Sequence, residues 1–480
     1  MLSRRELLLL LALFIASLPA VTARLYSSDE VEYFSYLRSL WFDHDVSFDN
    51  EYRYFYDQRI AQTANFRETF LELQTGTGRR INYGTIGCAI LWAPFYGVAD
   101  VATRVMRSVG RPVEANGYSQ PYVSAVAYGS AFYGFAAIVL GIAIARQTLG
   151  GQALSSGLAI WVGTPLLFYM YVAPPFSHAC SAFAVALFVA IWLRVRQTWT
   201  VQGAIALGLA GALMAMVREQ DIFCALGPAV DFLLTLIKGE GTRHKAKGET
   251  PAIGASARPG VFLGLIGCTA FLIGYLPQLI AYQALNGFPR PSPLVIRKMF
   301  WSSPHALQVL ADPEHGFLCW TPLALLALAG LIIVAVAPRA VVAEETAATS
   351  QVRRIAGCML LMVAMQIYIS GAVESWTVAG AFGQRRFVAV TIFLVVGLAA
   401  FRRWADSRSA RIATNIAIVL CVWWNLALTL EFGTSMMNRQ KLELRRNAYD
   451  AFVTLPRAAP KLLYRYFTNR SSFYKPAATD

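Results

Sequence analysis

Acidic residues and paired cysteines are both scarce in this 480-residue sequence. Only 28 aspartates and glutamates stand against 42 lysines and arginines, and charged residues make up 15% of the chain. The seven cysteines are far apart, fall in or beside apolar runs, and include no Cys-x-x-Cys pair. This spacing argues against a disulfide framework or a zinc site, and indicates cysteines that serve in packing.

A phosphate-binding loop and a nucleic-acid-binding face are also missing. The stretch Gly76-Thr77-Gly78 is too short for a phosphate loop and predicts a plain turn. The net charge is +14, but no isolated basic face with interleaved aromatic residues accompanies it. Nucleic acid is therefore excluded as a partner.

Apolar residues dominate instead. They make up 56% of the chain, and the mean hydropathy is positive at +0.47. Arginines and lysines occupy short breaks between apolar runs, as the positive-inside bias of membrane proteins requires. The sequence therefore predicts an all-α polytopic membrane protein.

The positive charge of the segments between apolar runs indicates how many of the runs cross the membrane. If all twelve crossed, four basic loops (Arg194 with Arg196, 238–258, 339–354 and 402–411) would face outward, against the positive-inside bias. Removing one early crossing places all four inside. The run 84–106 contains Pro94, Asp100 and Arg104, so we interpret it as a helix in the outer interface. Eleven crossings remain: 7–23, 120–145, 153–173, 176–193, 201–217, 222–237, 260–285, 316–338, 355–373, 387–401 and 412–430.

The first run has two interpretations. Arg4 and Arg5 precede it, which predicts a cytoplasmic N-terminus and a retained first span. Basic residues, a leucine-rich core and Val21-Thr22-Ala23 are equally typical of a cleavable signal peptide. Asp29 lies outside the membrane in either case.

This topology predicts one transmembrane domain over 1–430 and an extracytoplasmic tail over 431–480. The external surface collects loop 24–119 with its juxtamembrane helices, loop 286–315, and the shorter segments 174–178, 218–221 and 374–386. Loop 239–260, rich in Gly, Lys and Ala, is predicted to be internal and disordered. The tail carries Arg445, Arg446, Arg457 and Lys461 among aromatic residues, which predicts binding to anionic membrane lipids.

Three acids follow the first span directly, in Asp29-Glu30-Val31-Glu32-Tyr33. Ionisable groups at a membrane boundary are candidates for function. Alternatively, Asp29 is the N-cap of an amphipathic helix that runs through Tyr33 to Leu40. Glu32 is expected on a solvated helix face.

Four segments resemble the GT-C glycosyltransferases, membrane enzymes that use polyprenyl-phosphate sugars. Asp29-Glu30-Val31-Glu32-Tyr33 is similar to the start of the first external loop in protein O-mannosyltransferases and lipid A aminoarabinose transferases. Asn82–Gly87 with Leu91–Tyr96 resembles the entry to a juxtamembrane helix, without the usual prolines. Gly163–Tyr169 with Ser177-His178-Ala179, and Glu314–Pro322 with Phe382–Phe387, look like a poorly characterised bacterial GT-C branch. The resemblance covers roughly residues 1–400.

The resemblance implies an inverting sugar transfer from a polyprenyl-phosphate donor to a lipid, glycan or protein acceptor outside the inner membrane. A polyprenyl phosphate leaves as an anion, whereas the acceptor hydroxyl needs a base. By resemblance Asp29 is that base. Glu30 is a helper that holds Asp29, the acceptor or a divalent cation.

Candidates for the donor phosphate are the external basic residues, because the planar guanidinium of arginine suits phosphate oxygens. Snorkelling at a span end is the alternative for Arg385 and Arg386. A local pair with Glu219 or Asp221 is the alternative for Arg218. The full set is Arg218, Arg297, Lys298, Arg385 and Arg386.

Four further residues are candidates for binding sugar or acceptor. His178 and His315 could touch a sugar or a cation, with a hydrogen-bonded structural histidine as the alternative. Glu374 and Trp376 suit sugar hydroxyls and ring stacking, with an interfacial aromatic belt as the alternative.

Two other functions compete with glycosyl transfer. A secondary transporter or lipid flippase often shows internal repeats and charges near the membrane midplane. The sequence shows no repeat, and its charges cluster at one face. A non-catalytic assembly protein is opposed only by the placement of Asp29 and Glu30.

Overall fold

The chain folds into helices throughout the part that the structure covers. The structure, a computed structural model, describes residues 2–60, 65–151, 153–238, 258–341 and 346–473. Within these ranges there is no β-strand, only two isolated bridges. The predicted all-α class is confirmed. Residues 239–257 of the predicted internal loop lie outside the described ranges.

Twenty α-helices make up the described chain. In order they are α1 Arg4–Ser17, α2 Ser28–Arg38, α3 Asp49–Asp57, α4 Gly87–Ser108, α5 Gln120–Leu149, α6 Leu154–Val162, α7 Leu166–Tyr171, α8 His178–Val195, α9 Val201–Val217, α10 Leu226–Lys238, α11 Arg258–Asn286, α12 Pro293–Arg297, α13 Ala306–Ala311, α14 Phe317–Trp320, α15 Leu323–Val336, α16 Thr346–Ala372, α17 Thr391–Trp404, α18 Arg408–Gly433, α19 Leu444–Tyr449 and α20 Leu455–Thr468.

Seven described helical segments are long and apolar enough to cross a membrane by themselves. They are Gln120–Leu149, His178–Val195, Glu219–Ile237, Gly260–Asn286, Thr349–Ala372, Arg385–Trp404 and Arg408–Gly433. Helices α9 and α15 are shorter apolar helices. The predicted runs 7–23 and 153–173 correspond to α1 and to the pair α6 and α7. Helix α4 has 22 residues and is not among the seven, and its interpretation as a helix that does not cross stays a prediction.

Helix α1 packs into the bundle through one face. Leu10 and Phe14 are buried, and the Phe14 ring stacks on Phe135 of α5 with centroids 4.4 Å apart. Glu6 pairs with Arg146 at the far end of α5. Helix α1 is thus fixed at both its start and its apolar face.

The first external loop folds into short helices packed on α4. The Phe34 ring of α2 contacts Phe55 of α3 and Tyr96 of α4, with centroids 5.6 and 6.1 Å apart. Because edge-to-face aromatic contacts add to area burial, this cluster holds α2 firmly against the bundle. The predicted short helices of the loop are confirmed, and Gly78 has a φ of 80° in the predicted turn at 76–78.

The entry to α4 is fixed against the end of α9. The Thr85 hydroxyl donates to the Val217 carbonyl at 2.9 Å, and the Ile86 amide donates to Gln278 Oε1 at 2.9 Å. A Cβ on Gly87 would overlap the backbone of Met216. Only glycine permits this approach, which sets α4 beside Arg218, the residue that ends α9.

The C-terminal segment folds back on the end of the bundle that carries α2. The Asn447 amide donates to buried Glu431 at 2.5 Å, and Lys441 pairs with Glu314 at 2.9 Å. Helix α20 exposes Leu463, Tyr464 and Phe467. These exposed apolar side chains fit the lipid-binding role predicted for residues 431–480, which stays a prediction.

Helices α15 and α17 cross with their backbones in contact. A Cβ on Gly330 would overlap the Gly397 carbonyl, and a Cβ on Gly397 would overlap the Ala327 carbonyl. Small residues permit such close crossings in membrane helices, where packing rather than the hydrophobic effect drives association.

We expect Gly330→Ala to destabilise the protein, because the added methyl forces α15 and α17 apart. Overpacking of this kind costs about 1–3 kcal/mol. Gly357→Ala is the matched control, since Gly357 lies in α16 with open space around it. Thermal unfolding in detergent should show a lower Tm for Gly330→Ala and an unchanged or higher Tm for Gly357→Ala. Equal Tm values would contradict the close crossing.

Candidate active site

The first turn of α2 is closed by a capping box. The Ser27 hydroxyl accepts from the Glu30 amide at 3.4 Å, and Glu30 Oε2 accepts from the Ser27 amide at 3.1 Å. A capping box satisfies two backbone donors that a helix start would otherwise leave without partners. The proposed capping role of Asp29 is therefore wrong: Ser27 is the N-cap, and Asp29 lies two residues into the helix.

Glu30 is fully buried and faces its own helix start. Its Oε2 also accepts from the Tyr26 amide at 2.8 Å, while Oε1 has no partner among the described residues. Burial, the largest cause, raises the pKa of Glu30 to about 8. The described residues contain no cluster of three His, Cys, Asp or Glu side chains that would hold a metal ion. Glu30 thus positions the start of α2.

Asp29 points out of the cap toward a residue 356 positions away. Arg385 Nη1 donates to Asp29 Oδ2 at 2.7 Å. The Asp29 side chain keeps 39% of its surface exposed and Arg385 keeps 24%. The pair is therefore accessible to a ligand.

Aromatic rings pack against the guanidinium of Arg385 and against one another. Its guanidinium lies over the Phe176 ring at 5.5 Å, and Phe176 stacks on the His178 ring with centroids 5.7 Å apart. The Tyr169 ring contacts His178 at 4.5 Å, and the Tyr169 hydroxyl donates to the Phe382 carbonyl at 3.0 Å. The predicted external hairpin 174–178 and the segments 163–169 and 382–387 thus meet at one place.

His178 and Arg218 form a second polar pair beside the first. Arg218 Nη1 lies 3.1 Å from His178 Nδ1, and both side chains are buried. Because a guanidinium only donates, Nδ1 must accept, and the ring proton sits on Nε2. His178 is therefore a hydrogen-bonded histidine, as its structural alternative predicted, and its hydrogen bond orients Arg218. Its Nε2–H remains available as a donor.

Arg218 does not pair with its neighbours in sequence. Among the described residues it forms no salt bridge with Glu219 or Asp221. The Glu219 carboxylate instead accepts from the Tyr275 and Tyr282 hydroxyls at 3.1 and 2.5 Å. The Gln220 carboxamide lies beside Arg218, and its oxygen accepts from Arg218 Nε at 3.0 Å when the amide is turned to face the guanidinium. Of the predicted local ion pair, only a longer-range attraction between Arg218 and Asp221 is present.

Glu32 is buried rather than solvated, contrary to the sequence interpretation. Its Oε2 accepts from the Tyr83 and Gly84 amides at 2.5 and 3.1 Å, and only 5% of the residue is exposed. Glu32 is buried because its partner, the Tyr83 amide, lies 51 residues away in sequence. Helix periodicity cannot reveal a contact of this kind. Lys298 lies over the Tyr83 ring at 5.2 Å and acts on Glu32 electrostatically.

Arg386 differs from its neighbour Arg385 in what it binds. It is buried, and it donates to the Ser375 carbonyl and hydroxyl, each at 3.0 Å. Gln366 of α16 in turn donates to the Arg386 carbonyl at 3.1 Å. Arg386 therefore fastens the turn 374–386 to the bundle, and it does not snorkel toward solvent.

The sugar-binding candidates lie around buried Gln384. Its amide donates to the carbonyls of His315 and Trp376 at 2.8 and 2.9 Å. The Trp376 ring stacks on His305 at 5.2 Å and meets His315 edge-on at 6.2 Å. One face of Trp376 is thus covered. Glu374 is exposed, and its amide donates to the Lys298 carbonyl at 2.8 Å.

Arg297 is the predicted residue least connected to this group. It is exposed at the end of α12, and only its neighbour Lys298 reaches Tyr83 and Glu32. Four other candidates, Arg218, Arg385, Arg386 and His178, lie together near Asp29. Arg218, Arg385 and Arg386 all lie close enough to act electrostatically on His178, and Asp29 and Arg218 both act on the Tyr33 phenol.

Sequence reasoning missed several residues of the site. Tyr33, Tyr169 and Gln384 belong to segments that the resemblance singled out, and Phe176 lies in the predicted external hairpin, but their types did not indicate chemistry. Phe176 lies under the Arg385 guanidinium, Tyr169 contacts the His178 ring, and Gln384 holds the His315 and Trp376 carbonyls. These residues could be recognised only once the four segments were known to lie close together in the folded protein.

The arrangement suits an anion beside an available carboxylate. Arginines surround one accessible aspartate at the end of several helices, and the two neighbouring glutamates are buried in backbone contacts. Charge-assisted hydrogen bonds from guanidinium groups are the strong contacts to phosphate oxygens.

Comparison with solved structures identifies the fold. The crystal structure of ArnT from Cupriavidus metallidurans bound to undecaprenyl phosphate matches with a TM-score of 0.50 and 14% identity. The match covers 98% of this chain and 79% of the ArnT chain. The chain has the GT-C fold. No protein-family profile and no curated protein matches the sequence.

The GT-C fold confirms the architecture implied by the sequence resemblance. The match extends over 98% of the chain, including the short helices α2 and α3. At 14% identity the likeness establishes the fold, and the roles of individual residues rest on the contacts described above.

We expect Glu32→Gln to flatten the dependence of stability on pH. Burial is the largest cause that raises the Glu32 pKa to about 8, followed by the charge of Asp29. A raised pKa means that the folded state binds the proton more tightly, so stability falls as pH rises from about 4.5 to about 8. A glutamine keeps an oxygen for the Tyr83 and Gly84 amides but does not titrate.

The measurement is Tm in detergent across this pH window. Wild type should lose Tm steadily, and Glu32→Gln should lose less, with Glu30, Glu51 and the other buried carboxyls accounting for the remaining slope. Glu68→Gln, which changes an exposed carboxylate of the same loop, should retain the wild-type slope. A Glu32→Gln slope identical to that of wild type would show that Glu32 is charged in the fold.

Proposed function

We propose that this protein is an inverting glycosyltransferase that moves a sugar from a polyprenyl-phosphate donor to an extracytoplasmic acceptor. The observation that carries the proposal is the accessible Asp29–Arg385 pair, set in a GT-C fold beside Arg218. It joins a base for the acceptor to a cation for the leaving phosphate. ArnT, the structural neighbour, was crystallised with undecaprenyl phosphate.

The donor phosphate contacts Arg385 and Arg218 in this proposal. Arg385 is partly exposed and already binds a carboxylate. A phosphate, like a carboxylate, presents pairs of oxygens that a guanidinium can bind. His178 holds Arg218 through Nδ1, and its Nε2–H is a further donor. Lys298 adds positive charge at the Tyr83 side, whereas Arg386 keeps the turn 374–386 in place.

The transfer needs one base and no acid. Asp29 takes the proton of the acceptor hydroxyl, and the hydroxyl oxygen attacks the anomeric carbon from the face opposite to the phosphate. The bond between that carbon and the phosphate oxygen breaks, and its electron pair leaves with the polyprenyl phosphate. Arg385 and Arg218 stabilise the charge that develops on the phosphate. Asp29 then returns its proton to water.

Donor binding also prepares the base. Without a donor, Arg385 neutralises Asp29 through a hydrogen bond at 2.7 Å. A phosphate that draws Arg385 toward itself releases Asp29 Oδ2 for the acceptor. The same arginine thus couples arrival of the donor to activation of the base.

Sugar and acceptor occupy the side of the site nearest the turn 374–386. Glu374 is exposed and suits sugar hydroxyls, and Trp376 and His315 lie beside it around Gln384. Among the described residues, the Arg297 side chain makes no contact with this group, so it is left out of the proposed site. The basic ends of α8 and α17, at Arg194 and Arg402, lie at the opposite end of the bundle, which supports an extracytoplasmic site in the inner membrane.

We expect Asp29→Asn to fold normally and to lose activity by about 10²–10⁴-fold, the usual contribution of a general base. Folding should be retained because Ser27 and Glu30, not Asp29, form the helix cap. The assay measures release of polyprenyl phosphate from a panel of radiolabelled polyprenyl-phosphate sugars. Ser27→Ala is the contrasting variant: it should cost about 1 kcal/mol of stability. An Asp29→Asn variant that transfers at the wild-type rate would remove Asp29 as the base.

Arg385→Ala should weaken binding of undecaprenyl phosphate by at least about tenfold, since a charge-assisted hydrogen bond contributes about 1.5–3 kcal/mol. Arg194→Ala removes the same charge at the exposed far end of α8 and should bind like wild type. Binding is measured with radiolabelled undecaprenyl phosphate and purified protein in detergent. Equal affinities for the two variants would exclude Arg385 from the phosphate site.

A further inference from the structure

A polar cavity lies at the end of the bundle opposite to the candidate active site. Its volume is about 430 Å³, and it lies among the ends of α5, α8, α16 and α17. Three arginines and three glutamines line it, together with small and apolar residues. The polar set is Arg146, Gln147, Arg196, Gln197, Gln351 and Arg403.

Two helices connect the cavity to the candidate active site. Helix α8 begins at His178 and reaches the cavity at its end, and the span that begins at Arg385 ends beside Arg403. Eighteen helical residues in α8 rise about 27 Å, close to the thickness of the hydrocarbon core. The cavity therefore lies at the membrane surface on the other side.

The arginines of the cavity are held in fixed positions by groups of the protein. Arg146 binds both carboxylate oxygens of Glu6, and Arg196 binds both oxygens of Asp231 at 2.9 and 3.2 Å. Arg403 donates to the Leu149 carbonyl at the end of α5. Preorganised guanidinium groups lose little freedom when they bind an anion.

The charges that face the cavity are all positive. Neither Glu6 nor Asp231 is among the residues that line it, and no other carboxylate of the described chain is. Arg403 binds a neutral carbonyl, so its charge is not compensated by a carboxylate in the described ranges. The glutamine side chains and the backbone of Gly150 and Gly151 add polar groups without charge.

We propose that this cavity binds a phosphate-bearing anion, either the headgroup of an anionic phospholipid from the adjacent leaflet or a free phosphate. A basic pocket between membrane helices at the surface is the arrangement that recognises phospholipid headgroups. The site is distinct from the Asp29 site and does not depend on the proposed glycosyl transfer. Its occupant bridges α5, α8, α16 and α17 and stabilises their packing.

The test compares two arginines that are neighbours in sequence. Arg403→Gln removes the charge inside the cavity and keeps a polar side chain there. Arg402→Gln makes the same change one position earlier, at a residue that does not line the cavity. Purified full-length protein is placed in nanodiscs of phosphatidylcholine, and Tm is measured as ligand is added.

Two ligand arms distinguish the sources. One replaces part of the phosphatidylcholine by phosphatidylglycerol, and the other adds inorganic phosphate at constant ionic strength. We expect the wild-type Tm to rise in at least one arm, because a ligand that binds only the folded state stabilises it. A rise with phosphatidylglycerol alone assigns a lipid headgroup, and a rise with inorganic phosphate assigns a free phosphate.

Arg403→Gln should weaken the stabilising ligand by about tenfold, and Arg402→Gln should leave its affinity within twofold of wild type. Equal loss in both variants, or no rise of Tm in either arm, would overturn the proposal. If Arg403→Gln lowers Tm without ligand, Gln351→Trp provides a second test. Gln351 is exposed on α16, so a tryptophan there fills the cavity without disturbing the core. It should abolish the ligand response, and a wild-type response would contradict the site.

Discussion

The ion pair between Asp29 and Arg385 is the contact on which the candidate site depends. It joins the start of α2 to the turn that precedes α17, across 356 residues of sequence. Its strength depends on support from both sides. The capping box fixes Asp29 in the first turn of α2, and the Phe176 ring lies beneath Arg385. Because both partners remain partly exposed, water screens the pair and a ligand can reach either partner.

The three acids after the first span show how burial assigns different roles to similar side chains. Glu30 closes the helix start, Glu32 binds the backbone that leads into α4, and Asp29 alone meets solvent and a cation. Burial keeps the two glutamates protonated more readily than a solvated carboxyl, which leaves Asp29 as the negative charge among several arginines. A single carboxylate in a positive environment is the arrangement that an inverting transfer from a lipid phosphate requires.

Much of the fold could be predicted because membrane spans are long apolar runs and the charges between them follow one rule. The same counting predicts that α4 does not cross, the order of motifs indicated Asp29 and Arg385, and the predicted external breaks indicated Arg218. The remainder depends on contacts that are distant in sequence. Glu32 is buried by residues 83 and 84, Arg386 is turned inward by Ser375, and His178 orients Arg218 across 40 positions. Periodicity describes one helix at a time, so it assigned Glu32 to solvent and Asp29 to a cap that Ser27 forms.

The separation of 356 residues between Asp29 and Arg385 has a consequence for biogenesis. Translation proceeds at about 5–20 residues per second, so Asp29 waits roughly 20–70 s before the ribosome has made its partner. During that interval the Asp29 carboxylate lacks the guanidinium that pairs with it in the folded protein. If the proposed function holds, a nascent chain cannot act on lipid-linked sugar until Arg385 has been made, with 95 of the 480 residues still to follow.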